Sequence, residues 1–404
     1  MTDRTLPQSV ISTDSVLIIA GEASGDLLGA DLVRAICSRC PGIRFWGIGG
    51  DAMAAQNVSL LFHVRELGVT GFSEVIRKLP VILHVMATVE DLAVREKPSA
   101  AILIDYPDFN LRLAKKLKAA GIPIIYYVSP QLWAWRSGRV RVIRRFVDTM
   151  MVLFPFEETW YHQRGVRARF VGHPVLDRVK TIPDRKRCRQ MLGLAPDAFI
   201  VAMLPGSRVN EVRRSLPIFT EAQGILIDPC ETPVHEPDQH PVHFILPLAD
   251  TVSTDLIRSL LPSGPQPHII QGQTLMAVRA ADIAWITSGT ACLEAALLHT
   301  PHVVVYRTSP ITYWIARHLI SVKAISIANI VMPDPVVPEL IQTDFNPRRL
   351  VEETRKIVQS TESLEAARDR LRALDSQFGR PGAADRAAQE VLRTLGIQRL
   401  DNPL

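Results

Sequence analysis

Val16-Leu-Ile-Ile-Ala20-Gly21-Glu-Ala-Ser-Gly25-Asp26 is an unbroken apolar run that ends in a glycine-containing turn. Five apolar residues without alternation fit a parallel strand covered on both faces. The turn opens an amphipathic stretch, so the segment reads as strand, loop and helix N-terminus. The same succession recurs further on, where Ile200-Val-Ala-Met-Leu204 runs into Pro205-Gly206-Ser207-Arg208. Between and beyond these two stretches lie short apolar runs at 101–104, 124–128, 149–153 and 169–171, then at 243–246, 283–287 and 303–306. Segments with helical spacing, such as 111–120 and 291–299, separate them. Strand–helix alternation through right-handed crossovers builds doubly wound parallel sheets. The expected fold class is therefore α/β, with two doubly wound Rossmann-like domains facing a cleft.

The expected division is 1–180 for the first domain, 181–360 for the second and 361–404 for C-terminal helices that pack back on the first. The join falls near 177–184, and Gly379-Arg380-Pro381-Gly382 breaks the last helical region. Residues 228–243 fit neither pattern: they are rich in proline and carry Cys230, His235, His240 and His243. Their spacing matches no zinc motif, and a variable surface loop is the better reading.

At 404 residues, with 47% hydrophobic and 22% charged residues, the chain has ample core for two domains, which excludes a disordered or disulfide-stapled protein. Its apolar runs are too short to span a bilayer. Residues 1–15 lack the apolar segment of a signal peptide, and five cysteines are too few for a disulfide framework, so a reducing cytoplasm is expected. Cys37-Ser-Arg-Cys40 sits at the tail of a helix, where a thiolate gains nothing. Between residues 133 and 190 there are fourteen Lys/Arg against five Asp/Glu. This is either a solvated face or an attraction to phosphates on a substrate or an anionic membrane. No recognition motif points to nucleic acid.

The chemistry-bearing residues cluster after strands. Gly21, Ser24, Gly25 and Asp26 form a turn on the ligand side of an α/β sheet, although the turn is neither a dinucleotide fingerprint nor a Walker loop. Asp105-Tyr-Pro-Asp108-Phe-Asn110 follows the strand 101–104, and a carboxylate at a strand tip suits a general base acting on a hydroxyl. Asp105 is the catalytic candidate and Asp108 the expected helix cap. Gly206, Ser207 and Arg208, with Ser288, Gly289 and Thr290, place backbone amides, hydroxyls and a guanidinium at two helix N-termini. Together they make a diphosphate site that needs no metal. Glu294, one turn into its helix, is placed to accept hydrogen bonds from ribose hydroxyls. The sequence contains no Asp-x-Asp pair of the kind that chelates a metal on a nucleotide sugar.

The blocks GEASGDLLGADL, GIGGDAM, IDYPDFN, YYVSPQLWAWR, VGHPVLD, LPGSR, TSGTACLEAAL and the SIAN…ELIQ pair resemble, in order, the lipid-A-disaccharide synthase family, from about residue 16 to about 342. The resemblance implies the GT-B glycosyltransferase fold. It also implies a reaction joining UDP-2,3-diacylglucosamine to 2,3-diacylglucosamine 1-phosphate, with release of UDP and inversion at the anomeric carbon, without metal or cofactor. The family's essential aspartate falls on Asp105 and its arginine on Arg208. Its asparagine near the nucleotide falls on Asn329, and its Glu-Leu-Leu-Gln element corresponds to Glu339-Leu-Ile-Gln342, so Gln342 joins the expected nucleotide site. The usual Pro-Asn-Leu-Leu reads Ala328-Asn-Ile-Val331 here.

Lipid substrates imply a surface for acyl chains. Residues 69–83 carry Phe72, Val75, Ile76, Leu79, Ile82 and Leu83 around Arg77 and Lys78, too irregularly and too close to Pro80 for a long core helix. They read as an interfacial segment. The expected location is cytoplasmic, peripheral on the inner face of the cytoplasmic membrane, with the two lipid substrates and the phospholipid surface as partners and a homodimer left open. Two rivals share the fold class, a UDP-sugar 2-epimerase and a non-catalytic nucleotide-sugar binding protein. The first has no use for an apolar 69–83 segment, and the second has no need of Asp105 and Arg208.

Overall fold

Near-continuous apolar runs become the central strands because a strand covered by helices on both faces has no solvent side to make polar. The computed structural model describes residues 15–67, 72–228, 241–249, 251–319, 322 and 324–397. The chain divides into two units, Met1–Pro174 with Arg380–Leu404, and Val175–Gly379. The first holds seven parallel strands: β1 (Ser15–Ala20), β2 (Arg44–Gly49), β3 (Ser59–His63), β4 (Ala100–Ile104), β5 (Ile124–Tyr127), β6 (Thr149–Val152) and β7 (Ala168–Phe170). The second holds six: β8 (Phe199–Leu204), β9 (Val242–Leu248), β10 (His268–Gln271), β11 (Ile283–Thr287), β12 (His302–Tyr306) and β13 (Glu339–Ile341).

Sheet order is β3-β2-β1-β4-β5-β6-β7 in the first unit and β10-β9-β8-β11-β12-β13 in the second. In each, the order reverses between the unit's first and fourth strands. Ala20 of β1 pairs with Ile104 of β4, and Leu204 of β8 pairs with Ile286 of β11. A doubly wound sheet opens a ligand crevice outside the carboxyl ends of its strands at this reversal. The four loops singled out in the sequence leave these four strands. Val16 to Ala20 are fully buried, as are Tyr126 and Trp285, whose indole N–H donates to Thr354 Oγ1 at 2.9 Å.

β2, β3, β10 and β13 had no counterpart among the expected strands. Three of them are edge strands, and β3 buries none of its five residues completely, so a one-sided strand carries less apolar signal. The units part at Pro174/Val175, not at 180/181. The helices Pro347–Val358, Thr361–Arg372 and Asp375–Phe378 stay with the second unit, so only the chain from Arg380 onward rejoins the first. There the helix Ala383–Thr394 packs on the helix Ala23–Arg39. Arg39 pairs with Asp385 at 2.6 Å, and Arg386 donates to the carbonyl of Val171 at 2.9 Å.

Residues 72–96 form one helix, Phe72–Glu96, running through Pro80. This corrects the expectation of a segment too irregular for a long helix. A proline removes one backbone hydrogen bond, and the packing of the C-terminal half (Val85, Met86, Val89 and Ala93) outweighs that loss. Leu79 and Leu83 are exposed, as is Val81, which the sequence reading left out. Ile82 instead packs against the core. The side chains of Phe72, Val75 and Ile76, and the loop bearing Cys230, His235 and His240, lie outside the described residues. Among the described residues no helix is long and apolar enough to cross a membrane.

Candidate functional site

The tip of β4 is strained and strongly held. Asp105 and Tyr106 both adopt left-handed backbone conformations, with φ of 45° and 46°, which cost about 1–3 kcal/mol each in residues other than glycine. The carbonyl of Asp105 accepts hydrogen bonds from Tyr126 Oη at 2.6 Å and Asn110 Nδ2 at 2.7 Å, and Asn110 Nδ2 also donates to the Ile104 carbonyl at 3.1 Å. Asp105 N donates to Tyr127 O at 2.9 Å. The Tyr106 ring lies over Gly21, where a Cβ would come 2.2 Å from the ring, so glycine is required at the end of β1. Tyr106, Asn110 and Tyr126 escaped the sequence reading. The first two stand inside the IDYPDFN block.

Asp105 is half-buried. Burial, then the negative charge of Glu22, pushes its carboxyl above the usual carboxylate range, against a partly opposing hydrogen bond from the Tyr106 backbone. A carboxylate so placed is a stronger base than one in water. Asp108 differs. It is not the cap of the helix Pro107–Ala119, because Tyr106 holds that position and Pro107 fills the first turn. Asp108 is exposed, paired with Arg139 and 3.8 Å from Arg136. Its carboxylate is engaged in surface ion pairs with these guanidiniums and not left free for a hydroxyl.

Asp26, expected to face a ligand, is committed elsewhere. Its buried carboxylate accepts from the amides of Gly50 at 2.6 Å, Ala52 at 3.0 Å and Met53 at 3.0 Å. It therefore caps the helix Asp51–Ala54 that follows β2. Gly25 is buried and Ser24 exposed, both in the first turn of the helix Ala23–Arg39, whose N-cap Glu22 makes no side-chain capping bond. Burial and the nearby Cys40 push the Cys37 thiol up, away from thiolate chemistry.

After β8, Gly206 has φ of 122° and lies so close to Glu211 that a Cβ would meet it at 2.6 Å. Glu211, unnoticed in the sequence, occupies the anion position. Its Oε2 accepts from Ser207 N at 3.1 Å and Arg208 N at 3.3 Å, and its Oε1 from the Arg208 guanidinium at 2.9 Å. The signal was available: a glutamate three residues after an N-cap is half of a capping box. Arg208 remains 76% exposed, so this pair is weak and displaceable. After β11, Gly289 caps the helix Thr290–Leu297 without a side chain, and Ser288 N donates to Val305 O at 2.9 Å. Thr290 stands exposed at its start. Buried Glu294 pairs through one oxygen with Arg178 at 2.7 Å, and burial raises its carboxyl while Arg178 opposes the rise.

Asn329 and Gln342 brace loops. Asn329 Nδ2 donates to Val337 O and to Glu339 Oε1, both at 2.8 Å, and its Oδ1 accepts from Val336 N and Val337 N. Its side-chain amide makes four hydrogen bonds inside the unit and orders the loop expected near the nucleotide. Gln342 clasps the Thr308 backbone from both sides, accepting from its N–H at 2.8 Å and donating to its carbonyl at 3.3 Å. Among the described residues no three His, Cys, Asp or Glu side chains gather as a metal site.

The calicheamicin glycosyltransferase CalG4 superposes with a TM-score of 0.57 at 15% identity, covering 95% of this chain and 98% of that one. A UDP-GlcNAc 2-epimerase from Neisseria meningitidis superposes with a TM-score of 0.55 at 12% identity, covering 95% and 100%. The fold is thus the GT-B arrangement of two parallel α/β units, and by itself it does not separate transferase from epimerase. Sequence does so more sharply. A lipid-A-disaccharide synthase from Myxococcus xanthus is 44% identical over 381 residues, 94% of this chain and 97% of the relative. With the family model for lipid-A-disaccharide synthetase matching residues 16–391 as well, the chain belongs to that family.

Proposed function

We propose that this protein transfers a 2,3-diacylglucosamine unit from its UDP-linked donor to 2,3-diacylglucosamine 1-phosphate, forming the β-1,6 disaccharide of lipid A and releasing UDP. The observation that carries the reading is the family match along almost the whole chain, joined to a base-competent Asp105 at the reversal of the first sheet. The acceptor's 6-hydroxyl oxygen attacks C1 of the donor from the side opposite UDP. The C1–O bond to the diphosphate breaks, and Asp105 takes the hydroxyl proton. Attack opposite the leaving group inverts the anomeric centre through an oxocarbenium-like transition state. The negative charge gathering on the diphosphate falls to Arg208 and the amides of Gly206 and Ser207, with those of Gly289 and Thr290 beside them. Arg208 reaches a phosphate by releasing Glu211, an exchange of one anion for another. The charge is met by protein groups, so no metal enters the reaction.

The exposed Leu79, Val81 and Leu83 support docking of the helix Phe72–Glu96 on the inner face of the cytoplasmic membrane, where the lipid substrates lie. The decisive experiment incubates purified protein with both substrates and follows disaccharide and UDP by mass spectrometry. Asp105→Asn keeps the shape but cannot take the proton, so its turnover falls by roughly 10²–10⁴-fold with donor binding intact. Near-normal turnover of Asp105→Asn would remove Asp105 as the base.

A further inference from the structure

The helices Pro107–Ala119 and Val140–Phe146 of the first unit enclose a groove of about 810 Å³ that the reaction above leaves unused. That size lies within the roughly 300–1,000 Å³ of small-molecule sites. Its lining includes Pro107 and Asp108, two and three residues past Asp105. Asp108, Arg112 and Lys115 follow one another at helical spacing on a single face, and Val142, Arg145 and Phe146 line the facing helix. The floor is apolar: Leu111 is buried, and Val142 and Phe146 pack half-buried against the core.

The rim carries more positive charge than the protein neutralises. Arg139 is taken by Asp108 and Lys118 by Asp148. Arg112, Lys115 and Arg145 are exposed and have no carboxylate partner among the described residues, and Arg145 lies 5.3 Å from the Phe146 ring centroid. Three uncompensated cations around an apolar floor complement an amphiphile that has a doubly charged phosphate next to hydrocarbon. A solvated basic face needs no apolar floor, and an acyl-chain tunnel needs no basic rim.

We propose that this groove is the acceptor subsite, in which Arg112, Lys115 and Arg145 take the phosphate of an acylated sugar phosphate while Leu111, Val142 and Phe146 take the first carbons of an acyl chain. The proposal rests on the transfer reaction given above and adds the place where its acceptor is read. The phosphate would anchor the sugar beside the tip of β4, so that its free hydroxyl is presented to Asp105. It also gives a physical use to part of the basic excess between residues 133 and 190.

The test uses the full chain with Arg112→Glu, Lys115→Glu and Arg145→Glu combined, and Arg112→Gln with Lys115→Gln as a milder second variant. Binding of 2,3-diacylglucosamine 1-phosphate in detergent micelles is measured by calorimetry, beside the same lipid without its phosphate and beside UDP. The charge reversal weakens acceptor binding by about tenfold or more. It leaves the phosphate-free lipid and UDP within about twofold, and the milder variant falls between. Flotation with phosphatidylglycerol vesicles separates substrate from bulk lipid, and the variants float as the wild type does. Unchanged acceptor binding overturns the proposal. So does lost flotation with unchanged micellar binding, which makes the groove a site for membrane phospholipid. Because the readout is binding, a wild type that forms no disaccharide refutes the reaction separately and leaves this comparison to be scored.

Discussion

Replacing Asp26 by alanine distinguishes a structural carboxylate from a ligand-binding one. The carboxylate is buried one turn into the helix Ala23–Arg39 and accepts three backbone amides at 2.6, 3.0 and 3.0 Å. Hydrogen bonds to a charged group contribute about 1.5–3 kcal/mol each, so three summed naively give about 5–9 kcal/mol. The true figure is smaller. The bonds share one acceptor and do not add, and the native state already bears the cost of desolvating the carboxylate. The expected loss is about 3–4 kcal/mol for Asp26→Ala and about half that for Asp26→Asn, which keeps one good acceptor. A local loss of about 3 kcal/mol raises the opening equilibrium of residues 50–53 by roughly 10²-fold. Amide hydrogen exchange of Gly50, Ala52 and Met53 reads this directly, with calorimetry for the global effect. Unaltered protection of these three amides together with collapsed donor affinity would refute the reasoning and return Asp26 to the binding site.

Other outcomes follow from the same geometry. Asp105 works as a base only when ionised, so activity falls as pH drops through its raised pKa, and the acid limb lies above the ordinary carboxylate range. Glu22→Gln removes one cause of that rise, so the limb moves to lower pH; a limb that stays put means Glu22 does not reach Asp105. Arg208→Ala lowers turnover by about two orders of magnitude or more, whereas EDTA leaves the wild type unchanged. Activity lost to chelation and restored by metal would overturn the diphosphate site. Leu79→Ser, Val81→Ser and Leu83→Ser combined reduce vesicle flotation, since each exposed side chain loses about 1 kcal/mol or more of burial in lipid. Equal flotation of variant and wild type would remove this face as the membrane contact.

The sequence alone determined the two parallel α/β units, because strands buried on both faces are written as uninterrupted apolar runs, and those of β1, β4, β8 and β11 are unmistakable. It also located Asp105, because a polar residue directly after such a run stands at a strand's carboxyl end, and Arg208 in the loop that leaves β8. The blocks around them were long enough to carry the family. Edge strands such as β3 and β13 were missed because one covered face leaves a shorter, mixed pattern.

Which polar side chains are free for a ligand was decided only by tertiary structure. Asp26, Asn329 and Gln342 look like binding residues in a linear reading, yet each holds backbone of its own unit, Asp26 and Gln342 across 24 to 34 residues of chain. The strain at Asp105 and the bracing by Tyr126 were equally hidden. The basic groove became visible only when residues 108–118 and 139–146 lay side by side. Residue type and spacing report burial, which is a property of short segments. A hydrogen-bond partner depends on which distant backbone group the fold delivers to it, and only packing supplies that.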